Sequence, residues 1–251
     1  MQYRKFGNTE LLSSEIGFGA WAIGGKGWGQ VDDAESRAAL DRALELGINF
    51  FDTADIYGHG HSEEVLGPAL KGVRDHVVIA TKGGRRWNDG GNYRTDASPA
   101  WLHQAIDDSL RRLGLDYVDL YQVHWPDPKV PIEQSVAAAD GIRKAGKARL
   151  IGVCNCSPEE LTRAMSVCPI ASCQIPLNML YREYEPSMLP LCAESGVGVM
   201  AYGETKPEKM GNTLVPFVKR GKERTLLILR PNDFSSPSEL QNFTAEVRQV
   251  T

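Results

Sequence analysis

The chain alternates between two kinds of segment almost from end to end, and this alternation limits the folds open to it. Apolar runs of strand length occupy Glu15–Gly19, Asn49–Thr53, Val77–Lys82, Val118–His124, Arg149–Asn155, Ser172–Leu177 and Val197–Tyr202. Between them lie segments of helical periodicity at Asp33–Leu46, Ser62–Lys71, Pro99–Leu113, Ile132–Ala145, Pro158–Val167 and Pro186–Ser195. Several helices stop at glycine, as in Leu113-Gly114 and Ser195-Gly196, where a left-handed residue ends the last turn. Others start at a cap followed by proline, as in Ser98-Pro99 and Ser157-Pro158. Apolar strands separated by amphipathic helices imply an α/β fold with a parallel sheet covered by helices. The repeat fits a (β/α)8 TIM barrel, whose usual size is about 250 residues. An open doubly wound sheet is the rival, because Gly17-Phe18-Gly19-Ala20-Trp21-Ala22 matches the G-x-G-x-x-A dinucleotide fingerprint. Those glycines run into the loop Ile23–Gln30 instead of opening a helix, which favours the barrel. A single barrel domain over residues 1–251 is expected.

Composition narrows the function. The formal net charge of −4 offers no basic field for nucleic acid, and no cluster of Lys or Arg suggests an anionic membrane. The apolar runs are too short to span a bilayer, and the start MQYRKFGNTELL lacks a signal-peptide core, so a cytoplasmic protein is expected. Five cysteines, Cys154, Cys156, Cys168, Cys173 and Cys192, are read as buried free thiols. Cys154 and Cys156 have no second ligand pair at zinc spacing, so no metal site is expected.

Barrel enzymes build their sites at the C-terminal ends of the strands. Read there, the runs deliver Asp52 with Tyr57 just behind it, then Lys82, His124, Asn155, Gln174 and Tyr202. Asp52 and Lys82 alone would read as a structural ion pair, and His124 before Trp125-Pro126 as a turn residue. Together the groups make coherent chemistry. A free phenol, with a pKa of about 10, is a poor acid toward a carbonyl at neutral pH; a neighbouring ammonium lowers that pKa. An aspartate keeps the ammonium charged, and a histidine orients the carbonyl or shuttles its proton. The hydride that such a reduction needs must come from a cofactor.

In FFDTADIYG (Phe50–Gly58), VVIATK, DLYQVH and LIGVCN the chain resembles the aldo-keto reductase family, over roughly four-fifths of its length from Phe6 to Tyr202. VHWPDPKVPIEQSV followed by AGKARLIGV is most similar to the bacterial, general-stress-like branch. The resemblance implies Asp52, Tyr57, Lys82 and His124 as the catalytic set. It implies Asn155 and Gln174 as contacts of the nicotinamide carboxamide, with Tyr202 stacked on its ring. Asp52, Gly19, Ala20 and Trp21 join the cofactor-binding set. Cys154 stands where the family usually has Ser. Trp21, Trp87 and Trp125 suit the walls of an apolar carbonyl pocket, and His59 and His61 read as solvated loop residues. The implied function is NADPH-dependent reduction of small aldehydes or ketones, with NADH possible, by a monomer or weak homo-oligomer. The alternative is a non-catalytic nucleotide-binding barrel acting as a redox sensor or accessory subunit; it has less need of the proton donor.

Two further expectations concern less regular text. Gly83–Ser98, rich in Gly and polar residues, is expected to be a mobile loop over a roomy pocket of broad specificity. After Tyr202 the barrel is expected to close in shortened form: Thr205–Lys219 as a poor helix, Thr225–Arg230 as strand eight, and Ser238–Val247 as a last helix. Lys206, Lys209, Lys219, Arg220, Lys222 and Arg230 are phosphate-grip candidates by charge alone. NADPH would then be held mainly by its nicotinamide end, with little discrimination against NADH.

Overall fold

The computed structural model describes residues 1–25, 31–88, 92–178 and 182–203, together with the backbone of Thr225–Leu229. A short antiparallel hairpin, β1 (Tyr3–Lys5) and β2 (Leu12–Ser14), opens the chain. The barrel unit follows as β3 (Ile16–Gly19), α1 (Asp33–Glu45), β4 (Phe50–Asp52), α2 (His61–Leu70) and β5 (Val78–Gly83). A second hairpin, β6 (Arg85–Trp87) and β7 (Tyr93–Thr95), is inserted before α3 (Pro99–Leu113). Then come β8 (Val118–Val123), α4 (Ile132–Lys144), β9 (Ala148–Cys154), α5 (Pro158–Met165), β10 (Ser172–Pro176), α6 (Met188–Ser195), β11 (Gly198–Tyr202) and β12 (Thr225–Leu229).

Eight strands close in the order β10-β11-β12-β3-β4-β5-β8-β9, every pairing parallel. The expected (β/α)8 barrel is therefore what forms, with strand eight at the expected TLLIL segment. Closure leaves no sheet edge in the barrel, which is the physical reason for a strand there. The two helices expected after Tyr202, and the six phosphate-grip candidates, lie outside the described residues. Among the described residues no helix is long and apolar enough to cross a membrane.

The helix boundaries follow from their caps. Ser98 accepts from the Trp101 amide, and Ser157 forms a reciprocal capping box with Glu160. Gly114 and Gly196 end α3 and α6 in the left-handed region. Two findings depart from the sequence reading. The terminal hairpin β1/β2 was not expected, and Gly83–Ser98 holds the β6/β7 hairpin where a loop was expected. That hairpin is tied down at its base, where Trp101 Nε1 donates to Arg85 O at 3.1 Å and Asp96 N donates to Gly84 O at 3.0 Å.

Strand residues alternate between two cores. Phe51, Ile79, Tyr121, Ile151, Val153, Cys173 and Ala201 face the helices. Phe50, Val78, Ala80, Leu120 and Met200 fill the barrel axis, with Phe6 and Ala171 among them. Each fully buried apolar side chain contributes about 1.5–3 kcal/mol by leaving water. The alternation also positions the site: stepping by two from Phe50, Ala80, Leu120, Leu150 and Met200 leads to Asp52, Lys82, His124, Cys154 and Tyr202. One parity thus fills the axis with hydrocarbon below and polar groups at the C-terminal mouth.

Candidate active site

At that mouth Lys82, fully buried, donates to Asp52 Oδ2 at 2.6 Å, Thr53 O at 2.8 Å and Tyr57 Oη at 3.2 Å. Its three N–H donors are thus all engaged. The Asp52 side chain also accepts from Gln174 Nε2 at 3.2 Å. Desolvation lowers the Lys82 pKa, yet the charges of Asp52 and Tyr57 raise it overall, so the ammonium stays charged at neutral pH. Burial raises the Asp52 carboxyl more than the ammonium lowers it. For this coupled pair the Lys82 direction governs, because a buried ammonium 2.6 Å from a carboxylate is stable only as an ion pair.

Tyr57 sits in the turn after β4. Trp21 stacks against its ring at 5.9 Å and 25°, and His124 meets it edge-on at 5.9 Å and 81°. The turn needs glycine: Gly58 has φ +62°, and a Cβ on either Gly58 or Gly24 would overlap the other's backbone. That close approach seats the Trp21 segment against the tyrosine. Ala20 N donates to Asp52 O at 2.8 Å, and Gly19 is in register with Asp52 on β4. Lys82 does lower the Tyr57 pKa as expected, but the net shift is upward. Burial raises it first and most, the ammonium lowers it, Asp52 raises it again, and the phenol is pushed up to about 12. His124 is buried, and its Nδ1 has no hydrogen-bond partner. Burial, then the charges of Lys82 and Arg85, hold its pKa well below the usual histidine range, so the imidazole is neutral.

The other half of the mouth is built from β9, β10 and β11. Tyr202 Oη donates to Asn155 Oδ1 at 2.6 Å, and Asn155 Nδ2 donates to His124 O at 3.0 Å. Asn155 has φ +57°, a left-handed conformation that few non-glycine residues adopt and that often marks a functional position. Cys154, in the usual Ser position, is a neutral thiol because burial pushes its pKa well up; its Sγ lies 3.7 Å from Gln174 Oε1 as a weak donor. All the expected catalytic and amide residues therefore belong to one connected mouth. An amide-bearing aromatic ring fits this arc: Tyr202 is fixed by its hydroxyl, and the Asn155 and Gln174 amides each keep an N–H beyond the bond described.

The three tryptophans are placed differently. Trp21 walls the tyrosine, while Trp87 stacks on His59 at 5.2 Å and 13°. Trp125 is 40% exposed beside Arg85. His59 is accordingly no solvated loop residue but half-buried between Trp87 and Tyr93. His61 is partly exposed at the start of α2 and pairs with Asp33 at 2.8 Å. All five cysteines are buried and free, as expected.

One buried network escaped the sequence reading. Glu63 accepts from Thr81 Oγ1 at 2.6 Å and Arg112 Nε at 2.7 Å, behind the strand that carries Lys82. Asp55 donates its amide to Lys82 O at 3.3 Å. Burial, reinforced by Glu63, raises its carboxyl well above the usual range. Asp55 lies within the quoted DTADIYG text, but nothing in the spacing links it to Glu63 or Arg112. Arg85 was missed too, because Arg85-Arg86-Trp87 shows no apolar/polar alternation.

A parallel eight-stranded barrel with Tyr, Lys, Asp and His converging on its C-terminal mouth defines a class in which the mouth is the site of chemistry. Comparison with known proteins then identifies the group: residues 15–206 match the aldo/keto reductase family, and the chain belongs to it. It is 42% identical over 205 residues to aldo-keto reductase YhdN of Bacillus subtilis, covering 81% of this chain and 62% of that protein. An NADH-specific methylglyoxal reductase of Escherichia coli is 33% identical over 226 residues, covering 83% of this chain and 68% of its own. The structure of the glycerol dehydrogenase AKR11B4 from Gluconobacter oxydans superposes with TM-score 0.77 at 35% identity, covering 88% of this chain and 68% of that one.

Proposed function

We propose that the protein reduces small aldehydes or ketones to alcohols with a nicotinamide cofactor, NADPH with NADH possible, and that Tyr57 is the proton donor. The observation that carries this is the contact series Tyr57–Lys82–Asp52, with spacings of 3.2 and 2.6 Å, in the barrel mouth beside His124. Bound nicotinamide supplies the hydride. Every other role falls to side chains of this chain. Tyr57 is protonated at neutral pH and gives its proton to the carbonyl oxygen. The Lys82 ammonium stabilises the tyrosinate that this step leaves, an interaction stronger in the transition state than before it. Asp52 keeps Lys82 charged and placed, and neutral His124 orients the carbonyl oxygen. Asn155, Gln174 and Tyr202 would hold the nicotinamide end, with Gly19, Ala20, Trp21 and Asp52 beside it. Trp21, Trp87 and Trp125 would shape the substrate side.

The same reading makes the protein a cytoplasmic monomer or weak homo-oligomer that needs no nucleic-acid or membrane partner. The relative from E. coli is NADH-specific, so cofactor choice is part of the test. Oxidation of NADPH and of NADH is followed with a panel of small aldehydes. Turnover with either cofactor supports a reductase; cofactor binding without turnover of any aldehyde would favour the sensor instead.

A further inference from the structure

The β6/β7 hairpin carries three arginines, and two of them share one carboxylate. Arg86 and Arg94 are cross-strand partners, and they approach Asp96 at 3.6 and 3.4 Å. Arg86 also lies 4.5 Å over the Trp101 ring of α3. Arg85, one residue earlier, belongs to the opposite face of the strand. Among the described residues no carboxylate lies within ion-pair distance of it.

That opposite face looks onto the barrel mouth. Trp87, two residues on, stacks against His59 in the turn that carries Tyr57. The Arg85 guanidinium lies 6.0 Å from the ring centre of Trp125, which directly follows His124. Its backbone is anchored by Trp101 Nε1, and the neighbouring strand end by His124 N donating to Gly83 O at 2.8 Å. Its charge is among those that hold the His124 imidazole neutral. A half-buried guanidinium without a carboxylate is costly to keep, and its planar fork matches an oxyanion. Lys82 cannot take that role, since its donors are spent within the site.

The position also says which ligand the charge meets. The amide and aromatic groups suited to nicotinamide come from β9, β10 and β11, whereas Arg85 follows β5, on the arc of β4, β5 and β8. We propose that Arg85 anchors an anionic substituent of the carbonyl substrate, so that aldehydes bearing a carboxylate or phosphate are preferred to neutral ones. This rests on the reductase reading above and narrows its substrate class.

The test uses the full chain with NADPH and two matched pairs. One is 4-carboxybenzaldehyde against its methyl ester; the other is D-glyceraldehyde 3-phosphate against D-glyceraldehyde. The expected kcat/KM ratio of charged to neutral partner exceeds about 10 in at least one pair, and the pair with the larger ratio identifies carboxylate or phosphate. Arg85→Gln should lower that ratio about tenfold, chiefly through KM, with Arg85→Lys intermediate. Arg86→Gln, which removes an outward charge, should leave the ratio unchanged. An equal fall in Arg86→Gln, or an unchanged ratio in a folded Arg85→Gln protein, would overturn the proposal. A second measurement is independent of turnover: quenching of tryptophan fluorescence by 4-(hydroxymethyl)benzoate and by glycerol 3-phosphate. Binding of either that weakens about tenfold in Arg85→Gln supports the anchor even if no aldehyde is reduced. Binding of neither to the wild-type chain overturns it even if neutral aldehydes are reduced.

Discussion

Replacing Lys82 by Met should test whether the mouth is a buried electrostatic unit. Lys82 is fully buried, and Asp52 is 3% exposed. The substitution keeps a side chain of similar length, but it removes the donor to Asp52 Oδ2, Thr53 O and Tyr57 Oη. An unpaired carboxylate is left in a site that water barely reaches, and breaking a buried pair from one side costs about 3–5 kcal/mol. Urea unfolding at pH 7.5, followed by far-UV dichroism, should show that loss as a lower midpoint at unchanged slope. The double variant Lys82→Met/Asp52→Asn should recover at least half of the loss, because the stranded charge is gone. The pH dependence has a definite sign. Without its partner, Asp52 has a folded pKa raised above its unfolded value of about 3.9. Its stabilising protonated form is then present at low pH and lost as pH rises through the folded value. Lys82→Met should therefore be closer to wild type at pH 5 than at pH 8. A loss under about 1 kcal/mol at pH 7.5, the range of exposed pairs, with no recovery in the double variant, would refute the reasoning.

His124 gives a second pH signature. Its folded pKa is depressed by burial and by neighbouring cations, so its contribution is complete above the unfolded value of about 6.5 and is lost as pH falls below it. Thermal unfolding of His124→Gln should lose part of the wild-type decline between pH 7 and pH 5; equal declines would count against a buried neutral imidazole. The cysteines offer a third check. All five are buried and free, so Ellman's reagent should react slowly with the native protein and titrate five thiols in denaturant. Rapid native reaction of Cys154 would mean that water reaches the Gln174 contact.

Much of this architecture is legible in the sequence because barrel strands are buried on both faces and read as unbroken apolar runs. Phe50 and Phe51 point to opposite cores, yet both leave water, so the run needs no alternation to betray it. The polar residues that end those runs mark the mouth, and Asp52, Lys82 and His124 were identifiable for that reason. The two hairpins were harder. Tyr3–Lys5 and Leu12–Ser14 are three-residue strands, with β1 mostly exposed, so no apolar pattern announces them. Asn88-Asp89-Gly90-Gly91 is text of the kind that favours hairpin turns, but arginines dominate its flanks, so no apolar alternation marks the strands. The net upward shift of Tyr57 was not legible. It depends on how completely Trp21, His124 and the strand ends exclude water, which residue types alone do not state.

Tyr57 is proposed as the group that gives up the proton, and Tyr57→Phe isolates that role. The variant keeps the ring that Trp21 and His124 contact and deletes the hydroxyl that Lys82 reaches at 3.2 Å. Single-turnover oxidation of bound NADPH by a reactive aldehyde should slow by about 10²–10⁴. The NADPH dissociation constant, read by fluorescence, should stay within about threefold of wild type, since that is under 1 kcal/mol. Turnover within twofold of wild type at equal cofactor affinity would contradict the assignment of Tyr57 as the acid.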